Sequence, residues 1–183
     1  MDKLDIVTDE SGNEVVLLPE IIFSNKQNIN WNDVEDYLGK YVGELIEIAE
    51  TRDIIYIGNK FPDEYGGSSY TRKTKGARAK AKANAAQGIR EMVEIATDKV
   101  YRENHKEKHS EDAHNGWFYY VTRFAIPLYN NEKKTGEYNV YSACLVVNHA
   151  ANGKMYLYDV VGIKKKRVTH SRLSSSQVVQ NRF

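Results

Sequence analysis

The sequence predicts an α+β fold in which N-terminal helices are followed by an antiparallel β-meander. Three observations carry this. Apolar residues recur at helical spacing after Asn30, an alanine-rich basic stretch runs from about Thr71 to Ala86, and three long β-branched and aromatic runs follow at Trp117 to Leu128, Tyr138 to Asn148 and Lys154 to Ile163. A chain of 183 residues with 41% hydrophobic content suffices for one packed core. The expected organisation is an arm with short strands over 1–30, a single domain over 31–166 and a loosely held basic and polar tail over 167–183.

Each element has a local reason. In the arm, Val15-Val16-Leu17-Leu18 and Ile21-Ile22-Phe23 are divided by Pro19, which removes a donor and biases its predecessor towards extended backbone. Val34, Leu38, Tyr41, Leu45 and Ile48 then predict an amphipathic helix over about 31–50, capped by Asn30 or Asn32. Asp53 to Gly58 reads as a short buried strand, and a loop rich in Gly, Ser and Pro follows. A second helix is expected over about 71–86 and a third over about 90–112, with Met92, Ile95 and Ala96 on its apolar side. The three β runs are separated by polar loops containing Gly136 and the hairpin signal Asn152-Gly153, so a meander is the simplest pairing.

Charge is divided unevenly along the chain. Residues 1–70 hold 5 Lys/Arg against 15 Asp/Glu, and residues 71–183 hold 21 against 10, although the whole chain carries only +1. The pattern predicts a basic surface for a polyanion, or two complementary surfaces that dock on each other. Arg72, Lys75, Arg78 and Lys82 supply the basic helix, with Lys75, Arg78 and Lys82 at spacings that share a face. No apolar run approaches the roughly 18–20 residues of a bilayer span, and Met1-Asp2-Lys3-Leu4-Asp5 does not resemble a signal-peptide start. A soluble cytoplasmic protein is therefore expected. The single cysteine, Cys144, excludes an intramolecular disulfide and reads as a small buried hydrophobe.

Several residues carry candidate chemistry. RNA cleavage without metal needs a base for the substrate's 2′-hydroxyl, an acid for the leaving oxygen and donors for the phosphorane charge. His105, Lys108, His109 and His114 lie in a polar stretch. A zinc reading of His105 and His109 is disfavoured because no glutamate follows the first histidine and lysines flank the pair. His109 reads either as a catalytic or phosphate-contacting group or as part of a solvated helix end. Arg123, within an apolar strand, needs an anionic partner, either an internal carboxylate or a bound phosphate. His149 stands just before the Asn152-Gly153 turn, and Lys154, Tyr156 and Tyr158 share a strand face that suits base stacking beside a cation.

Leu18-Pro19-Glu20-Ile21-Ile22-Phe23, Asp53-Ile54-Ile55-Tyr56-Ile57-Gly58, Lys106-Glu107-Lys108-His109, Gly116-Trp117, Thr122 to Pro127, Tyr138-Asn139-Val140-Tyr141 and Gly153 to Asp159 together resemble the large polyvalent protein-associated domains of phages and mobile elements. The likeness spans about 14–166. Some such domains resemble the barnase, EndoU, colicin and RelE group, which implies a BECR-like nuclease fold and an endoribonuclease that acts without metal or cofactor. For the matching positions the resemblance implies His109, Arg123, His149 and Tyr158 as site residues. RNA is then the expected partner, with any cognate immunity protein, in a toxin or effector setting. Asn148 departs from the pattern, standing where an arginine precedes the histidine. The alternative function is a non-catalytic nucleic-acid- or partner-binding domain, such as an inhibitor of host defence or a packaging accessory.

Overall fold

The computed structural model describes residues 2–24, 28–105 and 113–166, together with a two-residue strand at 172–173. The chain opens with strands β1 (Ile6–Thr8) and β2 (Glu14–Leu17), helix α1 (Trp31–Leu38), and strands β3 (Leu45–Glu47) and β4 (Ile54–Tyr56). Four short helices follow: α2 (Phe61–Gly67), α3 (Ser69–Lys73), α4 (Gly76–Ala85) and α5 (Ile89–Glu94). Strands β5 (Thr97–Arg102), β6 (Trp117–Asn130), β7 (Lys133–His149), β8 (Met155–Lys165) and β9 (Arg172–Leu173) complete the described chain.

These strands form one sheet in the order β1-β2-β6-β7-β8-β4-β3, with β5 also on β6 and β9 also on β7. The consecutive antiparallel pairing of β6, β7 and β8 follows the sequence expectation. The sheet as a whole is mixed rather than antiparallel, because β2 joins β6, and β4 joins β8, in parallel. The reason lies in the two N-terminal hairpins. Each docks its second strand on an open meander edge, burying Val16, Leu17 and Ile55 there.

The face of β6 carrying Phe118, Tyr120, Phe124 and Ile126 packs on the helices and forms the main core with Leu38, Phe61, Tyr65, Ile89 and Met92. The opposite face carries Trp117, Tyr119, Val121 and Arg123, as strand alternation requires. Trp117, Val146 and Ala113 make a separate small cluster there, with Tyr119, Tyr158 and Val161 against it.

Four local expectations are corrected. The helix after Asn30 stops at Leu38, and a short 3₁₀ turn over Gly39–Tyr41 leads to Gly43 at φ 93°, so Leu45 enters a strand instead of a helical turn. The basic helix is two helices, broken where Thr74 and Lys75 adopt extended backbone before Gly76 at φ 61°. The stretch expected as helix over 90–112 leaves the helix after Glu94. Thr97, Val100 and Tyr101 then pair with β6, where the Tyr101 ring lies 5.4 Å from that of Phe118. Finally, β6 and β7 are joined by Asn131 and Glu132, both at positive φ, and Gly136 lies inside β7.

Candidate functional site

The three long strands position a cleft of about 720 Å³ on the sheet face opposite the main core. Its floor is aromatic, made by Trp117, Tyr119 and Tyr158, and the rings of Trp117 and Tyr158 meet edge-on at 5.0 Å. One wall is the end of β5 and the chain beyond it, with Arg102, Glu103, Asn104 and His105. The other is α3 with its N-cap Ser68, presenting Tyr70 and Arg72. The Trp117 indole N–H reaches the Asn104 side-chain oxygen at 3.4 Å, tying the first wall to the floor.

Two features of β8 shape the inner end. Val146 and Val147 of β7 face Asp159 and Leu157, so Tyr158 is an extra residue, and this bulge puts Tyr158 and Asp159 on the same side of the sheet. Strict alternation predicts Val161 opposite Tyr158; the bulge brings both to the outer cluster. Along the free edge of β8 beyond β4, the Tyr70 hydroxyl accepts the Ile163 N–H at 2.9 Å, which docks α3 beside the cleft.

Asp159 lines the cleft, yet only 2% of it is exposed. Its carboxylate accepts a hydrogen bond from Lys82 Nζ at 2.6 Å, and bonds from the Ser68 hydroxyl and from its neighbour's N–H at Val160. Lys82 also donates to Thr71 Oγ1 at 2.6 Å and lies over the rings of Tyr65 and Tyr70 at 4.6 and 5.0 Å. Burial pushes the Asp159 carboxyl above the usual carboxylate range, against the pull of Lys82. Burial likewise lowers the Lys82 ammonium, against the pull of Asp159. A charged pair held this dry beside a cleft is the arrangement in which functional carboxylates are found, and it is also a structural clamp between α4 and β8.

The sequence-derived candidates are distributed as follows. Tyr158 and Arg72 line the cleft. Lys82, expected on an exposed polyanion face, is fully buried against Asp159, because the small side chains of Ala79, Ala81, Ala83 and Ala85 let α4 pack closely. Lys75 and Arg78 are exposed, outside the cleft lining. Tyr156 lines a second, smaller pocket of about 270 Å³, and Lys154 lies 5.0 Å over the Tyr56 ring.

His149 is on the other face of the sheet, its ring 5.6 Å from that of Phe118 and its Nε2 at 3.2 Å from the Gly153 carbonyl. Arg123 is half-buried on the cleft's face but further along the strand, opposite Ser142, whose own β8 partner is Lys164. Among the described residues Arg123 forms no ion pair. His109 and Lys108 lie outside the described residues. The structure therefore brings Tyr158 and Arg72 together and separates His149 from both. Cys144 is half-buried on the outer face, and burial raises its thiol.

Arg102, His105, Asp159 and Ser68 complete the site. Asp159 had a legible signal, a lone acid between Leu157-Tyr158 and Val160-Val161, the same argument that singled out Arg123. Arg102 had none, since its position follows from an unexpected strand. Among the described residues no three His, Cys, Asp or Glu side chains gather as a metal site, and no helix is long and apolar enough to cross a membrane. Comparison with protein-family models, curated proteins and solved structures gives no match for this chain.

Proposed function

We propose that the protein binds single-stranded RNA in the large cleft and cleaves it without a metal ion. One observation carries the reading: an aromatic floor of Trp117, Tyr119 and Tyr158 lies between walls that present Arg72 on one side and Arg102 on the other, beside Glu64 and Glu103. Unstacked bases stack on aromatic faces while arginines hold the phosphates, and neither contact depends on sequence.

In this reading the substrate's 2′-oxygen attacks the adjacent phosphorus and its proton passes to a base. The bond from phosphorus to the 5′-oxygen then breaks, and an acid protonates that oxygen, leaving a 2′,3′-cyclic phosphate and a 5′-hydroxyl. His105 offers an imidazole at the wall, and Arg72 and Arg102 offer donors for the phosphorane charge. The Lys82–Asp159 pair anchors to α4 the bulge that carries Tyr158. The resemblance to phage polyvalent-protein domains supports a toxin or effector acting inside a bacterial host, with a BECR-like fold as the finer description of the α+β architecture.

A second reading, a non-catalytic nucleic-acid- or partner-binding domain, is favoured by one observation. His149 faces the opposite side of the sheet, so it cannot share proton transfer in this cleft. Incubating the purified protein with total RNA, with and without a strong chelator, separates the two. Fragments ending in 2′,3′-cyclic phosphate, insensitive to chelator, are expected. Tight binding that leaves the RNA whole from pH 5 to 8 sinks the nuclease reading and leaves the binding one.

A further inference from the structure

The sheet face that floors the cleft continues past it. Tyr119, Val121 and Arg123 follow one another on this side of β6, and a strand rise of roughly 3.3 Å per residue puts Arg123 about 13 Å beyond Tyr119. Arg123 faces Ser142 of β7, and Ser142 faces Lys164 of β8, so the three stand in one row across the strands. Lys164 reaches this side through a second bulge. Val161 faces Cys144 and Lys164 faces Ser142, so β8 holds Gly162, at φ 60°, and Ile163 where β7 has only Ala143. The row lies between two apolar patches, Trp117, Val146 and Val161 towards the cleft and Leu17, Ala125 and Val140 on the far side. An arginine half-buried in such surroundings requires an anion. Two acids of the neighbouring elements are already engaged, Asp159 with Lys82 and Asp9 with Lys166, whose own N–H bonds the Val140 carbonyl beside the row. Among the described residues neither Arg123 nor Lys164 forms an ion pair, and the Ser142 hydroxyl makes no hydrogen bond.

Building on the RNA reading above, we propose that Arg123, Ser142 and Lys164 form a second phosphate-binding site for the same RNA strand, outside the reacting cleft. The guanidinium and the ammonium supply charge from either side, and the serine hydroxyl between them donates to a phosphate oxygen. The row lies on the same side of the sheet as the aromatic floor and further along the same strands, so an RNA stacked on Trp117 and Tyr119 runs on to it when long enough. Arg123 is thus an anchor for the substrate and does not touch the reacting phosphorus. A short oligomer fills the cleft alone, and a longer one gains the anchor.

The test measures fluorescence anisotropy of labelled oligo(U) from a dinucleotide to a dodecamer, at several salt concentrations. Arg123→Gln with Lys164→Gln should weaken the dodecamer about tenfold, the worth of a hydrogen bond to a charged group, and leave the dinucleotide unchanged. For the dodecamer alone, the slope of log affinity against log salt should flatten by about 0.7, one phosphate's share. Circular dichroism melts check folding. Lys164 is exposed, so Lys164→Gln alone should fold and show the same length-dependent loss in smaller degree even if replacing Arg123 unfolds the protein. Lys75→Gln with Arg78→Gln removes equal charge and should show no such dependence on length. A folded double variant that binds the dodecamer as wild type does, a loss equal at every length, or the same length dependence in the helix pair overturns the second site. Arg72→Gln with Arg102→Gln reports on the RNA reading separately. If it weakens every length while the row variants change nothing, only the second site falls; if it weakens none, the cleft reading falls and takes the continuous path with it.

Discussion

Lys82 and Asp159 meet at 2.6 Å with 0% and 3% of their side chains exposed, joining the alanine-rich helix to the bulge that carries Tyr158. Two charges removed from water are tolerated because Thr71, Ser68 and the Val160 N–H complete their hydrogen bonding. Removing one partner leaves the other buried and uncompensated, which costs about 3–5 kcal/mol. Lys82→Met alone and Asp159→Leu alone should therefore each lower unfolding free energy by that order in urea. The double variant should recover most of the loss, since an apolar pair of similar volume carries no desolvation cost. Additive losses in the double variant would show that packing, not charge, dominates the clamp.

Gly116 should resist any side chain. Its φ is 96°, and a Cβ there would lie 2.6 Å from the Tyr101 ring and 2.7 Å from the Arg102 carbonyl oxygen. Gly116→Ala combines a backbone strain of roughly 1–3 kcal/mol with displacement of β5 from β6. Because Arg102 and His105 follow from β5, RNA affinity should fall alongside stability. An alanine variant that melts and binds like wild type would mean that the wall of the cleft does not depend on this approach.

The main strands were legible because long β-branched and aromatic runs leave few alternatives, and the alternation that put Arg123 beside Trp117 and Tyr119 holds in the structure. The elements misread are those whose periodicity fitted two answers. Leu45 and Ile48 continued a helical pattern that Gly43 interrupts, and Thr97 to Arg102 became a strand through pairing with distant residues 117–121. The cleft was legible only in Tyr158 and Arg72. A bulge, which reverses the alternation after it, and a lysine turned inward by alanines are both decided by tertiary packing. Local sequence does not encode either one.

Asp53 makes stability depend on acid. Burial raises its carboxyl, but hydrogen bonds from Lys99 at 2.8 Å, from the Tyr120 hydroxyl at 2.7 Å and from Thr51 outweigh this and hold it below the usual range. A carboxyl lowered by folding contributes stability above its unfolded value, near 3.9, and loses it as pH falls through the folded value. Asp53→Asn should thus be less stable than wild type at pH 7, by about 1–3 kcal/mol for hydrogen bonds to a charged group. The gap should narrow as the pH falls below the unfolded value and close once it passes the lower folded one. Urea titrations at several pH values measure it, and a gap independent of pH would assign the loss to packing alone.

The last prediction separates the cleft from the basic helix as the seat of polyanion binding. Lys75 and Arg78 are exposed but line no part of the cleft, whereas Arg72 and Arg102 form its opposite walls, and Lys82 is neutralised by Asp159. Each phosphate neutralised on a single strand contributes roughly 0.7 to the slope of log affinity against log salt. Arg72→Gln with Arg102→Gln should flatten that slope by about 1.4, the value for two phosphates left without a cation. Lys75→Gln with Arg78→Gln removes the same charge from the chain but should change the slope by less than about 0.7, the worth of a single phosphate. The equal charge change controls for long-range attraction, so only the position of the cations differs. Should the helix pair flatten the slope and the cleft pair leave it intact, the RNA would run along α4, and the aromatic floor would have no strand to stack against.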